Sequence, residues 1–370
     1  MMKGKRTMKH KISSALLSAV ILITGFSGCK SDERPEKYIN PDYTDYAAKV
    51  EDYLGRCSYS GSVLVAKGDE IIYAGGFGYA DEKTGAICTA KDTFEMGSIS
   101  KQMTAAAILK LCERGKLSLD EKLTRFFPEF DKGEDITIRN LLNMRSGLYD
   151  YIDDAHKFFP ADFVDEYLRR ADADNEDEPD FEREFLLPYL YEAPLKSAPD
   201  TDFYYCNTNY YLLGLIIEYA SGKSYHDYLK DEIFVPCGMD TANNGFMETT
   251  ARGYYHNGTT LSMRTSTALG CGSVNGSVYD LYDWMKCLYG GKVVSEESLK
   301  AMTTPVLGYG FGLMATSNIY YHGGCTDVFN TYAAYYPKDE YYIIAFSNTP
   351  IEMTSTTYVG YNLWDFLVSE

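Results

Sequence analysis

The sequence predicts a mixed α/β (α+β) fold: an antiparallel sheet built from both ends of the chain, plus a mostly helical lobe from its middle. Three observations predict it. Strand-like runs bounded by turn residues occur early and again late in the chain, and the long stretch between them carries helical patterning. With 370 residues, 45% of them apolar, there is enough material for a sizeable core. A cleft between two such lobes is the natural place for a ligand.

Residues 1–28 read as a targeting segment. Lys3, Lys5, Arg6, Lys9 and Lys11 form a basic region ahead of an apolar run, Ile12 to Phe26, that is short for a membrane span. The run ends in Phe26-Ser27-Gly28-Cys29, which resembles a bacterial lipoprotein processing site. That resemblance implies lipid on Cys29, a membrane anchor and an extracytoplasmic location. Residues 29–45, polar and containing Pro35 and Pro41, read as a tether. The folded domain is expected over 46–370, with a sheet lobe at about 46–97 and 266–370 and a helical lobe at about 98–265.

Within that domain an amphipathic helix is expected at Tyr46–Leu54, then strands Ser62–Lys67 and Glu70–Gly76 about the turn Gly68-Asp69. A helix from about Ser98 to Arg114 stops at Gly115, and residues 136–234 read as largely helical, most clearly Asn209–Ser221 before Gly222. Strands return at Gly310–Ala315, Ile319–His322, Thr331–Tyr336 and Tyr341–Ser347. Pro337-Lys338-Asp339 turns the last pair, and a helix at Thr356–Val368 follows. From Asp150 to Glu184, fourteen acidic residues stand against four basic ones. This reads as a solvated insertion near the cleft, with a lid or a weak cation site as the alternative.

The formal charge is −18, and loss of residues 1–28 with their five basic side chains leaves −23. Such a chain repels phosphate backbones, so nucleic acid is excluded as a partner. If Cys29 carries lipid, eight scattered cysteines remain, and their pairing stays open. The sequence has no C-x-x-C or H-E-x-x-H, and its five histidines are far apart, so neither a metal nor another cofactor is expected.

The chemistry begins at Gly97-Ser98-Ile99-Ser100-Lys101. Residues three apart on a helix share a face, so Ser98 and Lys101 can meet. The helix start, where backbone N–H groups lack partners, favours the negative charge of an attacking serine. A lysine serves as its base only when neutral, a form that burial and neighbouring positive charge favour. The S-x-x-K string alone is weak, since Ser27 and Lys30 match it inside the leader region; companions must decide. Tyr205-Cys206-Asn207 precedes a strong helix and offers a phenol to relay protons and an amide to orient groups. His322-Gly323-Gly324-Cys325 ends a strand, and its glycines let a substrate backbone approach. The N–H groups of Ser98 and Cys325 then form a candidate oxyanion hole.

In these ordered motifs the chain resembles the serine β-lactamase and penicillin-binding-protein family, in the branch holding class C β-lactamases, D-peptidases and esterases. The resemblance runs from about residue 50 to 350. It includes Leu141-Leu142-Asn143-Met144-Arg145-Ser146-Gly147-Leu148, Ile233-Phe234-Val235-Pro236-Cys237-Gly238-Met239 and Gly270-Cys271-Gly272-Ser273-Val274. It implies a β-lactamase/transpeptidase-like fold with Ser98 as nucleophile and Lys101 and Tyr205 moving protons. Asn207, His322 and Gly324 would position the substrate. The expected activity is hydrolysis, through an acyl-enzyme, of D-amino-acid peptides or small esters and amides of the cell envelope, peptidoglycan-derived peptides among them. Alternatives are a class C-like β-lactamase and a silent surface binding or sensing lipoprotein. The third motif departs from the pattern. His322 stands where β-lactamases of this branch usually carry lysine, which argues against efficient β-lactam hydrolysis because histidine is charged only conditionally.

Overall fold

The computed structural model describes residues 34–154, 157, 160–161, 186–244, 249–254, 268–326, 328–351 and 355–369. The leader, Cys29 and most of the acidic segment lie outside the described residues. In chain order the strands are β1 (Tyr38–Ile39), β2 (Gly61–Lys67), β3 (Glu70–Phe77), β4 (Tyr79–Asp81), β5 (Ala86–Ile87), β6 (Phe94–Glu95), β7 (Asn275–Gly276), β8 (Met314–Ala315), β9 (Tyr320–Cys325), β10 (Asn330–Tyr336) and β11 (Tyr341–Ser347). Seven of them form one antiparallel sheet in the order β1-β3-β2-β11-β10-β9-β8. The first and last parts of the chain therefore meet at the β2–β11 ladder. The pairs β4–β5 and β6–β7 stand apart from this sheet.

The sheet is covered on both faces, and its side-chain alternation shows how. On β2, Val63 and Val65 enter a core with Tyr46, Val50 and Leu54 of helix α1 (Thr44–Arg56), whereas Leu64 and Ala66 enter the larger core on the opposite face. On β11, Ile343 and Ala345 share the first core, and Ile344 and Phe346 the second. Successive strand residues point to opposite faces, so a strand buried on both reads as an almost unbroken apolar run.

The larger core is built around α2 (Ser100–Glu113), whose side chains from Ser100 to Leu109 are all buried. A helix apolar all round has no solvent face and belongs at the centre of a lobe. Around it lie α3 (Ile138–Leu142), α4 (Leu187–Glu192), α5 (Asn207–Ser221), α6 (Tyr225–Leu229), α7 (Val278–Tyr289) and α8 (Glu296–Thr303). Helix α9 (Thr356–Val368) packs beside α1 on the other face, with Val359 and Leu363 in that core. Helix α5 ends at Gly222, whose left-handed backbone (φ 71°) closes the last turn.

Four expectations need correction. The tether does not reach residue 45: Arg34 pairs with Asp283 at 2.7 Å and Tyr38–Ile39 adds a strand to β3, so the fold begins before α1. Gly310–Ala315 is not a full strand. Gly312 adopts φ 77°, which breaks the extended run, and Met314–Ala315 alone pairs with β9. The region 136–234 holds shorter helices separated by loops, because backbone partners of loops 143–154 and 193–206 lie across the fold, as in Tyr204 N–H to Met144 O at 3.0 Å. The acidic segment is not solvated at its start, where Asp150 and Asp154 are buried. Among the described residues no helix is long and apolar enough to cross a membrane.

Candidate active site

A cavity of about 350 Å³ opens between the end of β9 and the helical lobe, and Ser98, Tyr205, Asn207, Asp153, Cys271 and Cys325 are among its walls. Each arrives on a different element. Ser98 lies in a single 3-10 turn, Gly97–Ile99, that leads into α2. Ser100 fastens this turn: its hydroxyl donates to Gly97 O at 2.7 Å and accepts from Val274 N–H at 3.0 Å. Gly97 has φ 53°, and a Cβ there would sit 2.9 Å from the Cys325 nitrogen. Only glycine satisfies both demands.

From the next helical turn Lys101 reaches back, fully buried. Its ammonium nitrogen contacts Ser98 Oγ at 2.9 Å, Asn207 Oδ1 at 2.8 Å and the Cys271 carbonyl at 2.7 Å. Among the described residues it makes no ion pair. Three neutral acceptors and no carboxylate give the nitrogen two workable states without moving an atom. As an ammonium it donates three hydrogen bonds. As a neutral amine it donates two and accepts the Ser98 proton with its lone pair.

Tyr205 closes the site from above, with its ring centroid 5.0 Å from Lys101 Nζ. Its hydroxyl is buried without a well-formed hydrogen bond among the described residues, and Lys101 and Ser98 lie close enough to favour its ionised form. Burial pushes the phenol pKa up, and those two neighbours draw it part of the way back. An unpartnered buried hydroxyl facing a cavity is placed to bond something that enters it.

Asn207 is the first residue of α5, and its N–H donates to the Asp150 carboxylate. Asp150 also accepts from the N–H groups of Ile152 at 2.7 Å and Asp153 at 3.0 Å. A carboxylate at a helix start satisfies orphan donors and suits the dipole there. Asp154, beside it, accepts from the Tyr204 hydroxyl at 2.7 Å. The first acidic residues of the 150–184 segment thus hold the Tyr205–Asn207 loop in place. Cys206, between the two, is a buried small residue at the helix cap.

His322 is not on the cavity wall. It lies behind Tyr205, ring centroids 6.0 Å apart, and is 2% exposed. Its Nδ1 donates to Gly323 O at 2.5 Å, so Nε2 is left to accept from the Tyr309 hydroxyl at 3.1 Å. Burial, reinforced by Lys101, lowers the imidazole pKa to about 4. A neutral, doubly bonded histidine supplies no cation to a substrate. Gly324 serves by lacking a side chain: a Cβ would overlap the Met96 carbonyl and the Thr331 hydroxyl. This close approach, sealed by Thr331 Oγ1 donating to Met96 O at 2.8 Å, brings the Cys325 backbone up to the serine turn.

The structure therefore brings Ser98, Lys101, Tyr205, Asn207 and Cys325 together, and sets His322 and Gly324 just behind them. Sequence reasoning missed Tyr309, Asp150 and the Cys271 carbonyl. A main-chain acceptor has no residue-type signal. Asp150 was hidden in an acidic run, and Tyr309 is one of 34 tyrosines.

A serine, a lysine one helical turn on and a tyrosine from a second lobe, set beside the edge of this sheet, define a serine-hydrolase-type site on a β-lactamase/transpeptidase-like fold. The family model described as Beta-lactamase matches residues 47–366, and the chain belongs to that family. PbpX, a penicillin-binding-protein relative from Bacillus subtilis (strain 168), is 30% identical over 331 residues, covering 86% of this chain and 78% of its own. Penicillin-binding protein 4* of the same organism is 31% identical over 288 residues, 69% of this chain and 59% of that protein. Among solved structures, the D-amino acid amidase of Ochrobactrum anthropi SV3 superposes with a TM-score of 0.73 at 22% identity, over 89% of this chain and 99% of that one. The octameric penicillin-binding protein homologue from Pyrococcus abyssi gives 0.72 at 24% identity, over 89% and 78%. At these identities the structural matches speak for the fold.

Proposed function

We propose that the protein hydrolyses D-amino-acid peptides or small esters and amides through an acyl-enzyme on Ser98. The observation that carries this reading is the buried Lys101 nitrogen, held 2.9 Å from Ser98 Oγ by two further neutral acceptors and in no ion pair among the described residues. Neutral Lys101 takes the Ser98 proton as Oγ attacks the substrate carbonyl carbon. The oxyanion accepts from the N–H groups of Ser98 and Cys325. Tyr205 gives its proton to the departing nitrogen or oxygen and recovers one from Lys101. Water then attacks the ester, with the same pair removing its proton. Asn207 keeps the lysine aimed and offers its amide to the substrate.

The neutral His322 favours amides and esters without a free carboxylate over β-lactams, because a substrate carboxylate finds no fixed cation there. The leader and Cys29 support a companion proposal, a lipid-anchored protein on the outer side of a bacterial membrane acting on envelope peptides. The test is a substrate panel of D-amino acid amides, peptides ending in D-Ala-D-Ala, short p-nitrophenyl esters and a chromogenic cephalosporin. We expect turnover of at least one of the first three, lost in Ser98→Ala, with the cephalosporin turned over at least tenfold more slowly. Cephalosporin turnover exceeding all others would favour the β-lactamase reading. No turnover of any, with the fold intact, would favour a silent binding protein.

A further inference from the structure

Away from the cleft, two cysteines face each other across an interface between helices. Cys237 ends the helical turn Val235–Cys237 that follows α6, and Gly238 (φ 71°) turns the chain away after it. Cys287 lies in the last turn of α7, whose other face supports the sheet. The Cys287 thiol donates to the Cys237 carbonyl oxygen at 3.8 Å, and the two thiols lie near enough to shift each other's ionisation. Both are thiols in this structure. The pair is not symmetric: Cys237 is buried, whereas Cys287 is half-buried. Their mutual influence lowers the Cys287 pKa and raises that of Cys237, with Lys292 and Lys286 also favouring the Cys287 thiolate.

We propose that Cys237 and Cys287 form a disulfide that staples the end of the helical lobe to α7. The reading is independent of the catalytic proposal, and the seven other cysteines take no part in it. With the Cys287 sulfur already 3.8 Å from the Cys237 carbonyl oxygen, the two side chains are within reach of one another, and rotation about their side-chain bonds is the motion that closes the bond. The oxidant is an external disulfide, of a small molecule or of a protein. The Cys287 thiolate attacks one of its sulfurs, forming a mixed disulfide and expelling the first thiolate. Cys237 then gives up its proton and attacks the Cys287 sulfur, expelling the second. Two thiols are oxidised by two electrons, and one disulfide is reduced to two thiols. The half-buried, more acidic thiol is the one placed to begin, and the buried one to resolve. The bond would close a long loop, the case in which a cross-link restrains the unfolded chain most.

The test treats the purified full chain with oxidised glutathione, blocks remaining thiols with iodoacetamide and maps tryptic peptides without reduction. Cleavage at lysine and arginine leaves Cys237 alone in peptide 231–252 and Cys287 alone in 287–292. We expect these two peptides joined, and separate after reduction. Oxidation should raise the melting temperature by about 3–6 °C, a shift missing from Cys287→Ser and from Cys237→Ala. Both cysteines alkylated after oxidation, or either one bonded to a different cysteine, would overturn the proposal. A joined pair without the thermal shift would overturn the stapling role.

Discussion

In the proposed reaction Lys101 and Tyr205 divide the proton traffic at Ser98 between them, and their surroundings favour that division. The lysine nitrogen has neutral acceptors on three sides, so it is aimed whether or not it carries the extra proton. The tyrosine hydroxyl, by contrast, is buried beside Lys101 and Ser98 without a well-formed hydrogen bond among the described residues. Tyr205→Phe keeps the ring and its packing and removes only that hydroxyl. It should lower kcat/KM by about 10²–10⁴-fold, the usual worth of a positioned general acid or base, with the melting temperature nearly unchanged. A kinetic comparison with matched thermal melts checks this, and an activity loss below threefold would remove Tyr205 from the mechanism. Ser98, Lys101 and Tyr205 were legible in the sequence because a fixed spacing and a companion triplet marked them. The Cys271 carbonyl was not, because any residue type can supply it.

At the scale of the element, β9 is the strand that builds the site's edge. His322 and Gly324, two apart, share its inner face: Gly324 presses against the Met96 turn, and His322 lies beneath Tyr205. Its buried histidine has a consequence for stability. An unfolded histidine titrates near 6.5, and His322 in the fold near 4. Between those values the unfolded chain binds more protons, so stability is full above about pH 6.5 and falls as pH drops toward 4. The loss approaches about 3 kcal/mol. Asp283 acts the other way, since burial raises its carboxyl to about 6 despite Arg34, so the wild-type profile alone mixes the two. The measurement is therefore the stability difference between wild type and His322→Gln from pH 7 to pH 4. The wild type should lose ground on the variant as the pH falls, and parallel profiles would contradict the buried neutral histidine. Strands β10 and β11 and helix α9 were legible because long runs of one periodicity specify them. Gly310–Ala315 was not, since apolar and aromatic residues there fill the core from a turn, and composition alone does not separate a turn from a strand.

Over the whole molecule, the fold brings the two ends of the chain together so that a helical lobe can be held against a sheet edge. Ser98 stands at the hinge of that arrangement: the turn that carries it touches β9 on one side and begins the central helix on the other. The two-lobed plan was legible because strands cluster at both ends of the sequence. The early start of the fold at Arg34 and Tyr38 was not, because a two-residue strand and one ion pair leave no periodic trace in a polar, proline-containing segment. The acidic stretch misled for a related reason: charge composition describes a segment's average, while Asp150 and Asp154 act singly at the base of the Tyr205 loop.

The central claim is that Ser98 becomes acylated because Lys101 takes its proton, and active-site labelling reaches it most directly. A fluorophosphonate probe and a fluorescent penicillin should be applied to wild type, Ser98→Ala and Lys101→Ala, with the adduct located by peptide mapping. The account predicts that at least one probe attaches to wild type at Ser98, that Ser98→Ala takes up neither, and that Lys101→Ala labels at least about 100-fold more slowly. Labelling retained in Ser98→Ala, or equally fast in the lysine variant, would contradict it.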